Sequence, residues 1–209
     1  KLWLQDYGYE AAMRGIETSL KNLDTDYIDL YLLHQPYGDV IGAWRALEEA
    51  KEEGKIRSIG ISNQTPGIMK KFLPDMKILP AVNQVECNPL FQQKELRNFM
   101  KDYGIFTEAW YPLGHGNREL LENPTLKNIA EKYGKNVGQV ILRWHVQEGI
   151  VALPKATSPE HITGNIDIFD FSLTDAEMAQ IQMLDTGKGT HDPEDEATAE
   201  TLKTLKIHD

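Results

Sequence analysis

Strand-like runs recur along this chain at a nearly fixed interval, each followed by a helical stripe. Runs rich in branched and aromatic residues centre near residues 30, 58, 83, 108 and 152, with gaps of about 28, 25, 25 and 44. Such runs read as strands. Between them apolar residues return every three or four positions, the mark of a helix with one buried face. A connection holding a whole helix joins parallel strands, because antiparallel neighbours need only a tight turn. The spacing therefore points to a parallel α/β fold.

The stripes are explicit. Ala12, Ile16, Leu20 and Leu23 form the first, and Val40, Trp44 and Leu47 the second, with a stop at Gly54. A short helix is expected from Thr65 to Leu73, ended by Pro74. Leu96, Phe99, Met100 and Tyr103 follow, ended by Gly104. Asn123-Pro124 is an N-cap with proline in the first turn, opening a stripe of Leu126, Ile129, Ala130 and Tyr133. Val137, Val140, Ile141 and Trp144 make a second helix in the same long gap. Ser158-Pro159 opens another, and Thr174 with Glu177 forms a capping box before Met178, Ile181 and Leu184. No Pro/Ser-rich linker interrupts the pattern, so residues 1–209 read as a single domain. The acidic segment from Gly187 reads as loop, then a short amphipathic end.

Composition narrows the function. A net charge of −10 lacks the basic footprint of a nucleic-acid binder. No run approaches a membrane span. One cysteine, Cys87, excludes an intrachain disulfide framework and fits a reducing compartment, so a cytoplasmic location is expected. Cys87 itself is expected to be a partly buried thiol. No CxxC or His-x-x-x-His pattern is present, so no metal site is expected.

A parallel α/β sheet is either doubly wound or closed. Doubly wound nucleotide binders carry a glycine-rich phosphate loop after a strand, and neither G-x-G-x-x-G nor G-x-x-x-x-G-K-[ST] occurs here. A (β/α)8 barrel gathers its chemistry at the C-terminal ends of its strands. Those ends carry Lys1, His34, Ser62-Asn63, Gln84 with Glu86, Trp110-Tyr111 and Lys155. Singly, each has an ordinary structural explanation: a hydrogen-bonded histidine, a helix cap, a core tryptophan. Their recurrence at the same end of successive strands is the signal. His115, flanked by Gly114 and Gly116, is expected in a mobile loop, and His145, beside Trp144, at the surface or in a structural role.

The segments Lys1-Leu2-Trp3, Leu32-Leu33-His34-Gln35-Pro36, Gly54 to Asn63, Val82 to Pro89 and Leu153-Pro154-Lys155 resemble the aldo-keto reductases in order, spacing and residue type. That resemblance implies a (β/α)8 TIM barrel, of which this chain supplies about six of eight strand–helix units. It implies hydride transfer from NADPH to an aldehyde or ketone without metal, in a family whose members are often monomers. Of the family's Asp, Tyr, Lys and His tetrad, Lys1 and His34 match. The Tyr and Asp belong upstream of the lysine strand, so the chain is expected to be N-terminally incomplete; Tyr7, Tyr9, Tyr27 and Tyr31 do not match the motif. Ser62, Asn63 and Gln84 match the groups that hold the nicotinamide carboxamide, and Trp110 the aromatic that stacks on its ring. Tyr111 and Leu113 match the pyrophosphate stretch. Lys155, Thr157 and Ser158 match the 2′-phosphate site, and Asn165 the adenine contact. Trp3 matches the substrate pocket wall, and the segment from Thr190 to Leu205 borders that pocket. His161 stands where the family often has an arginine, which weakens the phosphate grip and leaves NADH use open. A nucleotide-binding member without activity, or an inactive fragment, are the competing readings.

Overall fold

The computed structural model describes residues 1–208. Its five strands are β1 (Ile28–Leu32), β2 (Ile56–Ser62), β3 (Val82–Glu86), β4 (Phe106–Trp110) and β5 (Val151–Ala152). They form one sheet in chain order, and every recorded pairing is parallel. The α/β expectation and the five strand positions match the sequence reading. Where Lys1-Leu2-Trp3 is expected to end a sixth strand, Leu2 makes a single parallel bridge to Leu33. Its N–H donates to the Leu32 carbonyl at 2.8 Å and its carbonyl accepts from His34 at 3.0 Å. The turn at Leu4–Asp6 follows at once and ends the pairing.

Contact density divides the chain into two compact units. The first holds Lys1–Gln84, Leu96–Ile105 and His191–Asp209; the second holds Val85–Glu95 and Phe106–Thr190. The chain enters each unit more than once, which is why no linker shows in the sequence. β3 belongs to both.

In the first unit, α1 (Tyr9–Leu23) and α2 (Val40–Glu52) pack against each other. Ala12, Ile16 and Leu20 of α1 are buried, as are Ala43, Trp44, Ala46, Leu47 and Ala50 of α2. The small residues among these let the two helices approach closely. Asp39 caps α2 through the Gly42 N–H, and Thr65 caps α3 (Pro66–Phe72) through Ile68. Gly60, in the middle of β2, is fixed by packing. A Cβ there would come within 2.5 Å of a Leu32 methyl and 2.8 Å of a Val82 methyl. Helices α4 (Lys94–Lys101) and α10 (Glu196–Thr204) complete this unit.

In the second unit, α5 (Arg118–Leu121), α6 (Pro124–Tyr133), α7 (Val137–Gln147), α8 (Pro159–Ile166) and α9 (Asp175–Gln182) accompany β4 and β5. The short α5 escapes the sequence reading because four residues carry no periodicity. Its cap, Asn117, is the only cue. Leu126, Ile129, Val140, Ile141, Trp144, Leu173 and Ile181 build the core here. Cys87 joins that core with no solvent exposure, deeper than the expected partly buried thiol. The capping box at Thr174 and Glu177 forms as expected, and a second one joins Asn136 and Gln139. Among the described residues, no helix is long and apolar enough to cross a membrane.

Candidate active site

In the first unit, three strand exits deliver polar groups. His34 lies two residues past the end of β1, half-buried, with the edge of the Trp3 ring against it at a centroid distance of 5.0 Å. Burial, and then the charge of Lys1, push its imidazole down to about 4. At neutral pH it is therefore uncharged, a ring able to donate one hydrogen bond without carrying charge. Lys1 is exposed, and its ammonium donates to Oε1 of Gln84 at 2.7 Å. The structure thus joins a catalytic candidate to a cofactor-binding candidate directly.

Ser62 ends β2 and pairs in register with Gln84 of β3. Its hydroxyl donates to the Gln84 carbonyl at 2.8 Å, so its oxygen keeps lone pairs with which to accept. Asn63 then turns into the left-handed region, with φ of 58°. Its N–H donates to the Gln84 carbonyl at 3.0 Å, and its side-chain nitrogen donates to Oε1 of Gln35 at 3.3 Å. Ser62, Asn63 and Gln84 are all buried.

The second unit repeats the device at the end of β4. Trp110 is half-buried, and Tyr111 follows with φ of 51°. The two rings meet edge to face at 4.6 Å. Tyr111 in turn stacks on His115, with centroids 4.4 Å apart and planes 26° from parallel. His115 is exposed, with a left-handed backbone at φ 54°. Leu113 packs onto the core of this unit.

Past β5, Ser158 caps α8 by accepting from the His161 N–H at 3.2 Å. Lys155, Thr157 and His161 are exposed around this N-terminus, and Asn165 lies half-buried in the last turn of α8. A cation and a hydroxyl at this helix N-terminus make a donor set suited to phosphate. Each unit, taken by itself, carries groups that suit part of a nicotinamide nucleotide. The first offers buried amides for a carboxamide; the second offers a flat indole face for a ring and donors for a phosphate.

Several residues matter that the sequence reading passed over. Gln35 and Tyr7 bracket Asn63 and His34 through the hydrogen bonds described below. Of the two settings expected for His145, surface or structural, it takes the structural one and is wholly buried. Its ring nitrogens lie 2.8 Å from the Ile141 carbonyl and 3.0 Å from that of Cys87. The usable cue was its place one turn after Ile141, on the apolar face. The tyrosines set aside in the sequence are engaged elsewhere. Tyr9 bonds Glu49, Tyr27 lies beneath Arg57, Tyr31 bonds Ser19 on α1, and Tyr7 bonds Gln35. The tail is not simply solvated: Tyr37 donates to the Pro193 carbonyl, and Trp3 to that of Leu205.

Comparison with known proteins follows from this arrangement. The sequence pattern of the Aldo/keto reductase family matches residues 1–186. The chain belongs to the aldo/keto reductase family. Among its relatives, morphine 6-dehydrogenase of Pseudomonas putida is 45% identical over 201 residues, covering 90% of this chain and 68% of the relative. Glyoxal reductase of Bacillus subtilis is 48% identical over 185 residues, covering 88% and 66%. A mutant of Gox0644 in complex with NADPH is 36% identical, with a TM-score of 0.88 over 92% of this chain and 72% of that one. The chain thus spans about two thirds of the length of the curated relatives it matches. These neighbours place this aldo/keto reductase with TIM-type barrels.

Proposed function

We propose that this aldo/keto reductase reduces the carbonyl of an aldehyde or ketone with NADPH, and runs the reverse alcohol oxidation. The observation that carries this reading is the meeting of Lys1, Gln84, Ser62 and Asn63 at adjacent strand exits. It is joined by the likeness to a protein solved with NADPH. When bound, NADPH supplies the hydride. His34, held neutral, donates a hydrogen bond to the substrate carbonyl oxygen as charge develops there. Lys1 supplies the positive charge that lowers the pKa of a phenolic acid beside it. No tyrosine with partners described above takes that acid role.

Ser62, Asn63 and Gln84 are assigned to the nicotinamide carboxamide, and the Trp110 indole to the face of its ring. Tyr111 and Leu113 are assigned to the pyrophosphate, Lys155, Thr157, Ser158 and His161 to the 2′-phosphate, and Asn165 to adenine. Trp3 forms pocket wall. NADPH is taken over NADH because Lys155 retains a charge for the phosphate. We read residues 1–209 as part of one barrel domain, contributing six of eight strand–helix units, and acting as a cytoplasmic monomer on small molecules rather than on nucleic acid or membranes. The test is loss of NADPH absorbance on adding a panel of aldehydes, ketones and keto esters to full-length protein. Turnover that disappears in Lys1→Met and His34→Ala supports the reading. A panel without turnover, on protein that binds NADPH, would count against it.

A further inference from the structure

Gln35 follows His34 and is 8% exposed. Its backbone N–H donates to the Tyr7 hydroxyl at 3.0 Å, and that hydroxyl donates to the Gln35 carbonyl at 2.8 Å. One phenol thus satisfies both backbone polar groups of one residue, from 28 positions away. Burial raises the Tyr7 pKa, so the phenol stays protonated and both bonds persist. Tyr7 is itself set by the turn before it, where its N–H donates to the Leu4 carbonyl at 3.1 Å.

With its backbone clamped, Gln35 presents Oε1 to the side-chain nitrogen of Asn63 at 3.3 Å, in buried surroundings. The two amides are complementary. Flipping either one alone would set oxygen against oxygen or N–H against N–H, which a buried site does not tolerate. The backbone of Asn63 is fixed too, by its left-handed turn and its bond to Gln84. The Gln35 bond takes one of the two hydrogens on Nδ2, and the other is then the donor offered to a carboxamide oxygen.

We propose that Gln35, held by Tyr7, is a positioning residue that fixes the amide of Asn63 in the orientation that reads the nicotinamide carboxamide. The inference rests on the assignment of Asn63 to the carboxamide made above. It gives a role to a buried amide directly after the candidate catalytic histidine.

The experiment compares binding of NADPH with binding of its reduced thionicotinamide analogue, whose carboxamide oxygen is replaced by sulfur, a weaker acceptor. Adenosine 2′,5′-bisphosphate serves as a control that lacks the nicotinamide. In full-length protein, Gln35→Leu should reduce the preference for NADPH over the analogue about fivefold, the worth of one hydrogen bond. Binding of the bisphosphate should not change. Tyr7→Phe should lose part of the preference, and Gln35→Met serves in place of Gln35→Leu if the latter does not fold. If Gln35→Leu keeps the native preference while Asn63→Ala loses it, the proposal is overturned and the carboxamide assignment stands. If Asn63→Ala itself keeps the preference, the assignment fails, and the proposal with it.

Discussion

The indole N–H of Trp3 donates to the carbonyl of Leu205 at 2.8 Å, across 202 residues of chain. The same ring rests its face or edge on His34, so the C-terminal segment reaches the candidate catalytic histidine through one side chain. A second tie lies nearby: His208 meets Asp6 at 2.8 Å, and the Ile207 N–H donates to Gln5 at 2.8 Å. Truncation after Thr204 removes both ties while leaving all of α10. We expect KM for carbonyl substrates to rise about fivefold or more, with NADPH affinity unchanged, because the lost bonds orient the pocket wall rather than the cofactor. Steady-state kinetics of the truncated protein checks this. An equal loss of NADPH affinity would contradict it.

The depressed pKa of His34 makes a pH prediction with a definite sign. Between its ordinary value near 6.5 and about 4, the unfolded chain binds a proton at this position that the native protein refuses. Stability therefore falls as pH drops through that window. In His34→Gln this contribution vanishes, so the variant should lose less stability than the native protein on acidification from above 6.5 to about 4. Thermal unfolding across that range gives the comparison. An NMR titration of His34 with a midpoint at or above its ordinary value would refute the premise.

His145 bridges α7 to the chain leaving β3 through the carbonyls of Ile141 and Cys87. His145→Phe keeps the ring but removes its N–H donor, leaving a carbonyl acceptor against an apolar edge. It should destabilise the protein by about 1–3 kcal/mol, the cost of unpaired buried polar groups. Urea unfolding would show a lower midpoint with an unchanged slope.

His161 stands exposed at the N-terminus of α8, near Ser158. His161→Arg adds a fixed charge and a planar fork suited to phosphate. The ratio of NADPH to NADH affinity should increase about tenfold, read by fluorescence titration with each cofactor. A ratio that stays level would remove His161 from the 2′-phosphate site.

Much of the fold was legible because strands and helices differ in period, and the caps at Asn123, Ser158 and Thr174 are written locally. The exits at His34, Ser62, Gln84 and Trp110 were legible for the same reason: a polar or aromatic residue closes each apolar run. What escaped was tertiary. The Tyr7 hydroxyl finds Gln35 across 28 positions, and no periodicity marks such a pair. The stack of His115 on Tyr111 joins residues four apart outside any periodic run, so no pattern marks it. Leu2, read as the end of a strand, makes one parallel bridge to Leu33 before the turn at Leu4.

The left-handed backbone of Asn63 means that two kinds of selection act on one residue. Most side chains cost about 1 kcal/mol or more in that conformation, asparagine less, and glycine essentially nothing. Asn63→Gly should thus relax the turn, while deleting the amide that the proposed site uses to read its cofactor. Variants at this position ranked by melting temperature and ranked by NADPH affinity should place Gly and Asn in opposite order. A laboratory evolution for heat tolerance alone would therefore drift toward a protein that folds well and binds poorly.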